Sequence, residues 1–185
     1  MVVANVTTAS QLFHLLRRQA LQLPVKPLVL LTPKRYLRGR EAYSPVKDLT
    51  GGSFHEVLDD PSVDPAKVRR IIMASGKLGL DLLSTRADQG AADVAVVRVE
   101  QLYPWPKAEI RATLERYPAA KDIVWAQEEP ANMGAWTFVS GRVPELAAGR
   151  SVTCVARPPS GSPATGSHAL HELEQRDVLA RALGA

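Results

Sequence analysis

The chain reads as an α/β protein, a three-layer α/β/α sandwich built on a mainly parallel sheet. Short apolar runs alternate with segments of amphipathic helical periodicity, and Val94-Ala-Val-Val-Arg-Val99 is the clearest of the runs. Strands that are nearly continuous in apolar residues are buried on both faces, and the helices between them supply the cover. The 185 residues, 45% hydrophobic and 23% charged, suffice for one domain with a core and a short further segment.

An opening helix is predicted first. Thr8 or Ser10 can cap it, Leu12, Phe13, Leu16 and Ala20 recur on one side, and Pro24 and Pro27 stop it. Pro27 to Thr32 reads as a buried strand. Pro33 to Asp64 is long and irregular, with Gly51-Gly52 and several prolines, which predicts a connection between domains. A regular rhythm follows. Val68 to Ser75 is a strand, Lys77 to Gln89 a helix and Asp93 to Val99 a strand. Pro106 to Tyr117 is a helix with proline at its first turn and Ile110, Leu114 and Tyr117 on one face. Asp122 to Gln127 is a strand, Ala135 to Val143 a short helix, and Val152 to Ala156 a strand. Ser167 caps a last helix in which Leu173, Ala180 and Leu183 share a face.

Composition narrows the function classes. No apolar run approaches the roughly 18 residues of a membrane helix, and Met1 to Ser10 lacks the charged and apolar regions of a signal peptide. The single cysteine, Cys154, permits neither an internal disulfide nor a cysteine-built zinc cage, and it points to a reducing compartment. Charge is unevenly spread. The first forty residues carry seven bases (Arg17, Arg18, Lys26, Lys34, Arg35, Arg38, Arg40) and no acid, whereas the other 145 carry sixteen bases against nineteen acids. Such a front suits phosphates or an acidic partner, or else forms a solvated face. Nucleic acid is disfavoured, because aromatics are only 5% and Tyr36 alone stands in the Lys34–Arg40 cluster.

Ser75-Gly76-Lys77 sits where a strand passes into a helix, the place at which open sheets bind anions. The spacing is not that of a P-loop, and an ordinary strand-to-helix turn fits it as well. Glu128-Glu129 follows another strand. Neighbours in a strand point opposite ways, so hydrogen bonding or an interface suits the pair better than acid/base work. His168 and His171 are too poorly supported by acids to make a metal site, and Cys154 reads as a buried, inert thiol. No catalytic residue is identified.

Several stretches, in order, resemble one family. They are Phe13-His-Leu-Leu-Arg-Arg-Gln19, Leu31-Thr-Pro-Lys34 with Leu37-Arg38, Ala74-Ser-Gly-Lys77, Val94 to Pro104, Trp125-Ala-Gln-Glu-Glu-Pro130 with Gly134-Ala-Trp136, and Ala156-Arg-Pro158 through Ser162-Pro-Ala-Thr-Gly166. Together they are similar to the C-terminal end of the E1 component of 2-oxoglutarate dehydrogenase. The resemblance implies that residues 1–40 close a pyrimidine-type domain and that residues 41–185 form a transketolase C-terminal-like domain. It implies a parent that decarboxylates 2-oxoglutarate on thiamine diphosphate and Mg, then passes the succinyl group to the lipoyl arm of E2. A homodimer of E1 and a cytoplasmic bacterial location, or the mitochondrial matrix in a eukaryote, go with it. The Gly-Asp-Gly motif of the cofactor site is absent from this chain, so the chain alone is expected to be inactive and to serve assembly. An effector site for an acetyl-CoA-like ligand is implied at Arg18, Lys34, Arg38, Ser75, Lys77 and Arg98. The chain departs from the family pattern at Gly79-Leu80, where aromatics usually stand, and at Met133. Two other readings stay open: a free-standing acyl-CoA or nucleotide sensor, and a structural subunit of a split E1.

Overall fold

The computed structural model describes residues 1–37 and 39–184. Its chain order begins with strand β1 (Val2–Asn5), helix α1 (Ala9–Leu21), strand β2 (Leu28–Leu31), helix α2 (Val46–Thr50) and strand β3 (Val57–Leu58). Next come β4 (Arg70–Ala74), α3 (Lys77–Gln89), β5 (Val94–Val99), β6 (Gln101–Tyr103) and α4 (Lys107–Glu115). The chain closes with β7 (Asp122–Pro130), the single turn α5 (Trp136–Val139), β8 (Ser151–Arg157) and α6 (His168–Leu183).

Two sheets result. The larger has the order β3-β5-β4-β7-β8, with β5, β4, β7 and β8 parallel and β3 an antiparallel edge. One face packs Ile71, Met73, Ala95, Val97, Ile123 and Trp125 against Ile110, Leu114 and Tyr117 of α4 and its C-terminal end. The other packs Ile72, Ala74, Val94 and Val96 against Leu78 and Leu82 of α3 and Val178, Ala182 and Leu183 of α6. Alternation along each strand therefore feeds both cores, which gives the three layers the apolar runs predict.

The smaller sheet, β2-β1-β6, was not foreseen. Four mild residues such as Val2-Val-Ala-Asn5 carry too little pattern to mark a strand. They become one because β2 pairs on one side and β6 on the other. β6 leaves the end of β5 after only Glu100, so the two sheets are joined through one buried residue.

Several local readings need correction. β2 is an edge strand, with Val29 and Leu31 exposed, because none of the described residues covers its far side. α1 is capped by Thr8, whose Oγ1 accepts from Gln11 N at 3.3 Å. It buries Gln11, His14 and Leu15, while Phe13 and Leu16 lie outward. Gln11 and His14 can be buried because each finds backbone partners in the 48–55 stretch: Gln11 at His55 N and O, His14 Nε2 at Asp48 O. α6 is capped by Ser167 as expected, yet Leu173 is exposed and Gln175 takes an inward position, bonding to Asp81. The helix expected from Ala135 to Val143 is one turn, followed by a 3-10 turn at Pro144–Leu146. The irregular stretch from Pro33 to Asp64 holds α2, β3 and two 3-10 turns, at Arg35–Leu37 and Arg40–Ala42.

Candidate functional site

β4 ends at Ala74, and the chain must turn sharply into α3. Gly76 makes the turn at φ +64°, a conformation unfavourable for a side chain. A Cβ there would lie 2.4 Å from the Asn5 amide, so the glycine also lets the end of β1 close over the turn. This approach forms a cleft of about 430 Å³ at the carboxyl ends of β4 and β7, walled on the opposite side by Asn5 and Leu31–Pro33. Ser75 and Lys77 line it, as do Gln127, Glu128 and Glu129. The position is the one at which parallel sheets hold ligands.

Its lysine is already paired internally. Lys77 Nζ lies 2.5 Å from Asp81 Oδ2 and 2.6 Å from Glu128 Oε1, and all three side chains are largely buried. Asp81 also accepts from Tyr36 Oη and from Gln175 Nε2. Burial, and then this bond to Asp81, push the Tyr36 phenol upward, so it stays a donor. An anion entering the cleft must therefore take Lys77 from Glu128 and lie near Glu129. Ser75 Oγ is buried and has no hydrogen-bond partner among the described residues.

Gln127 shapes the far wall. Its Oε1 accepts from Trp125 Nε1 (3.1 Å) and Trp136 N (2.8 Å), and its Nε2 donates to Pro130 O (3.1 Å) and Met133 O (2.8 Å). One side chain thus fastens the turn that carries Glu128 and Glu129. Neither Gln127 nor Asp81 was singled out from sequence, since a lone amide or acid in an amphipathic pattern carries no signal.

The remaining expected positions are dispersed. Arg18 is committed to internal partners: Nη1 to Glu56 Oε1 at 2.6 Å, Nη2 to Gln101 Oε1 at 2.5 Å, and the guanidinium 4.3 Å above the Phe54 ring. Lys34 is exposed, just beyond the Pro33 wall of the cleft. Arg38 lies outside the described residues. Arg98 lines a second cavity, on the α1 and α2 side. Its Nη1 donates to Thr7 Oγ1 at 2.9 Å. Thr7 in turn reaches Glu100, through Oγ1 to Oε1 at 2.5 Å and through N to Oε2 at 2.8 Å. Burial pushes the fully enclosed Glu100 carboxyl up to about 7, against the Thr7 bonds and the Arg98 charge that pull it down. Burial likewise lowers Arg98, with Glu100 and Asp60 opposing.

The expected inert thiol and weak histidine pair can also be placed. Cys154 is half-buried in β8, and burial pushes it up to about 11. His171 Nδ1 lies 2.9 Å from Arg157 Nη2, and His168 faces Glu172 at 3.9 Å. Among the described residues, no three His, Cys, Asp or Glu side chains are gathered in a way that could hold a metal ion. No helix among the described residues is long and apolar enough to cross a membrane.

The model of the family described as 2-oxoglutarate dehydrogenase C-terminal matches residues 43–183. The chain belongs to this family. Among its relatives is the 2-oxoglutarate dehydrogenase E1 component of Cupriavidus necator, 46% identical over 181 residues, or 97% of this chain and 19% of that protein. The corresponding component of Shouchella clausii is 41% identical over 189 residues, covering 98% of this chain and 20% of the relative. That of a Geobacillus strain is 44% identical over 188 residues, with the same coverage. The chain therefore spans about one fifth of the length of the curated relatives it matches. The family match and the three-layer fold agree with the transketolase C-terminal-like architecture expected from the motifs.

Proposed function

We propose that the chain works as the C-terminal part of a 2-oxoglutarate dehydrogenase E1. In this reading residues 1–40 complete a pyrimidine-type domain, and residues 41–185 are the transketolase C-terminal-like domain. The half-covered smaller sheet supports the division, because β2 leaves an open edge and the apolar Val29 and Leu31 uncovered. The parent would decarboxylate 2-oxoglutarate and pass the succinyl group to the lipoyl domain of E2, working as a homodimer in the bacterial cytoplasm. Thiamine diphosphate and its magnesium would be held by the remainder of E1; in support, no three His, Cys, Asp or Glu side chains are gathered as a metal site among the described residues. It would contribute assembly and a ligand cleft, and would be inactive alone.

The cleft between the two sheets carries the second half of the proposal. An acetyl-CoA-like effector there would meet Ser75 and Lys77, with Lys34 from the adjoining segment; Arg38, outside the described residues, enters the proposed set through the resemblance alone. Arg18 and Arg98 complete the proposed set as contacts that must first leave internal partners. The unpartnered Ser75 hydroxyl and the dipole end of α3 favour a phosphate. The Lys77–Glu128 pair opposes one, so binding should be coupled to its opening.

The test is made on an E1 that carries this domain. Purified 185-residue chain should give no decarboxylation of 2-oxoglutarate, and E1 should be activated by acetyl-CoA. Ser75→Ala with Lys77→Ala should abolish that activation while basal turnover persists. Activation left intact by this pair, and also by Arg18→Ala with Arg38→Ala, would overturn the effector reading. Turnover by the chain alone would overturn the division of labour. Immunoblotting of source cells gives the size of the native protein: a band several times larger than 20.1 kDa supports the E1 reading, and a band at that mass favours a free-standing sensor or split subunit.

A further inference from the structure

β7 and β8 end side by side, with Pro130 opposite Arg157, and the chain then loops through Pro158 to Gly166 before it enters α6. Between this loop and the start of α6 lies a cavity of about 340 Å³, at the carboxyl ends of the two strands. Ligand pockets run from roughly 300 to 1,000 Å³, so this one suits a molecule of amino-acid size better than a nucleotide. The loop around it is pinned. Asn132 grips Ser160 with both amide atoms: Nδ2 donates to Ser160 O at 2.9 Å, and Oδ1 accepts from Ser160 N at 3.0 Å. Thr165 Oγ1 donates to Glu174 Oε2 at 2.5 Å, and Ser162 Oγ to Ala164 O at 2.9 Å. A cavity held in this way loses little freedom when it is filled.

Two charged side chains line the cavity, Arg157 and Glu174, and neither is fully engaged. Arg157 is only 6% exposed. Its Nη2 donates to His171 Nδ1 at 2.9 Å and to Gln175 Oε1 at 3.5 Å. Its Nη1 lies 3.3 Å from Glu174 Oε2, an ion pair without hydrogen-bond alignment. Its Nε is buried and has no partner among the described residues. A guanidinium carries five N–H donors, and burying several of them without acceptors is costly. Both contacts of Glu174 use Oε2, and Oε1 has no hydrogen bond among the described residues. The rest of the wall is uncharged. It combines the Ser160 and Ser162 hydroxyls with prolines and with Leu170, whose side chain is 46% exposed.

We propose that this cavity binds a free α-amino acid with an apolar side chain. The Arg157 guanidinium takes the carboxylate, Glu174 Oε1 takes the ammonium group, and Leu170 with the loop prolines packs on the side chain. Charge makes the selection. A simple anion meets Glu174 and a simple cation meets Arg157, whereas a zwitterion matches both. Only a free amino acid carries the two charges on one carbon; either end of a peptide offers one of them. The cavity shares no lining residue with the cleft of Ser75 and Lys77, and the proposal does not depend on the effector reading.

The probe is L-leucine, titrated into the 185-residue chain by calorimetry and followed by imidazole NMR. Saturable binding is expected, with the resonances of His171, which touches Arg157, moving and those of His14 and His55 unmoved. Isocaproate lacks the ammonium group and L-leucinamide lacks the carboxylate charge. Each should bind roughly tenfold or more weakly than L-leucine. Glu174→Gln keeps an acceptor for Thr165 and removes the charge. It should weaken L-leucine by a similar factor and narrow the gap between L-leucine and isocaproate. Leu170→Ser, at an exposed position, is the second variant; it should weaken L-leucine severalfold and leave the unfolding midpoint in place. The proposal falls if L-leucine does not bind saturably, if isocaproate or L-leucinamide binds the unaltered chain as tightly as L-leucine, or if either variant binds L-leucine like wild type.

Discussion

Glu100→Gln isolates one buried charge that joins the two sheets. Glu100 is fully enclosed between β5 and β6, and its carboxyl is pushed up from 4.5 to about 7, chiefly by burial. The unfolded chain would release this proton near 4.5, whereas the folded chain keeps it to about 7. Between those values the folded state binds more protons, so stability falls as pH rises. The contribution is fully present below 4.5 and lost as pH passes 7. At 1.36 kcal/mol per pH unit the displacement is worth about 3 kcal/mol, a large share of the roughly 5–15 kcal/mol that holds a domain folded. Glutamine keeps an acceptor for Thr7 N but cannot ionise. Its amide nitrogen is a donor and faces Thr7 Oγ1, so the bond the Thr7 hydroxyl gave to the carboxylate is lost, at about 1 kcal/mol. Urea unfolding of wild type and Glu100→Gln at pH 5 and pH 8 is the assay. The variant should match or fall slightly below wild type at pH 5 and exceed it at pH 8. Other titrating groups are common to both proteins and cancel in the difference. Parallel pH profiles would refute the reasoning, because they would mean that Glu100 is charged at no cost in its buried position.

Three further outcomes follow from the same packing. Asp60→Ala should destabilise the chain by about 3–5 kcal/mol in urea unfolding, since buried Asp60 holds Arg86 of α3, Val96 N and Ser62 together; a loss below 1 kcal/mol would contradict it. Gly76→Ala should cost more than about 1 kcal/mol and shift the Asn5 amide resonances, because the backbone is left-handed and Asn5 occupies the place of the methyl group. Cys154 should react with iodoacetamide far more slowly than a free thiol at pH 8, since only the thiolate attacks and burial pushes this group up to about 11; reaction at the rate of a free thiol would contradict it.

Sequence alone determined the four parallel strands of the larger sheet and the helices between them, but not its edge strand β3. Runs such as Val94–Val99 and the helix at Lys77–Gln89 repeat their periods over enough residues to identify both kind and order, and Gly76 and Ser167 marked helix starts that the structure keeps. The motif order also points to the family. Tertiary structure decided what short or polar segments do. Val2–Asn5 is a strand because it pairs with Leu28–Leu31 and with Gln101–Tyr103, and Gln101–Tyr103 because it pairs with Val2–Asn5. Phe13 and Leu16 face outward because Gln11 and His14 find buried backbone partners far along the chain. The same holds for the candidate sites. Ser75-Gly-Lys77 was legible as a strand-to-helix turn, but Glu128, which pairs with Lys77, reaches it only through the register of β7 beside β4. Arg98 was legible as a base in a strand, whereas its cavity is assembled by α1, α2 and the room left at Gly79. Periodicity is a local property of the chain and survives in one dimension. Charge pairing and concavity depend on distances between remote residues, and those exist only once the chain is folded.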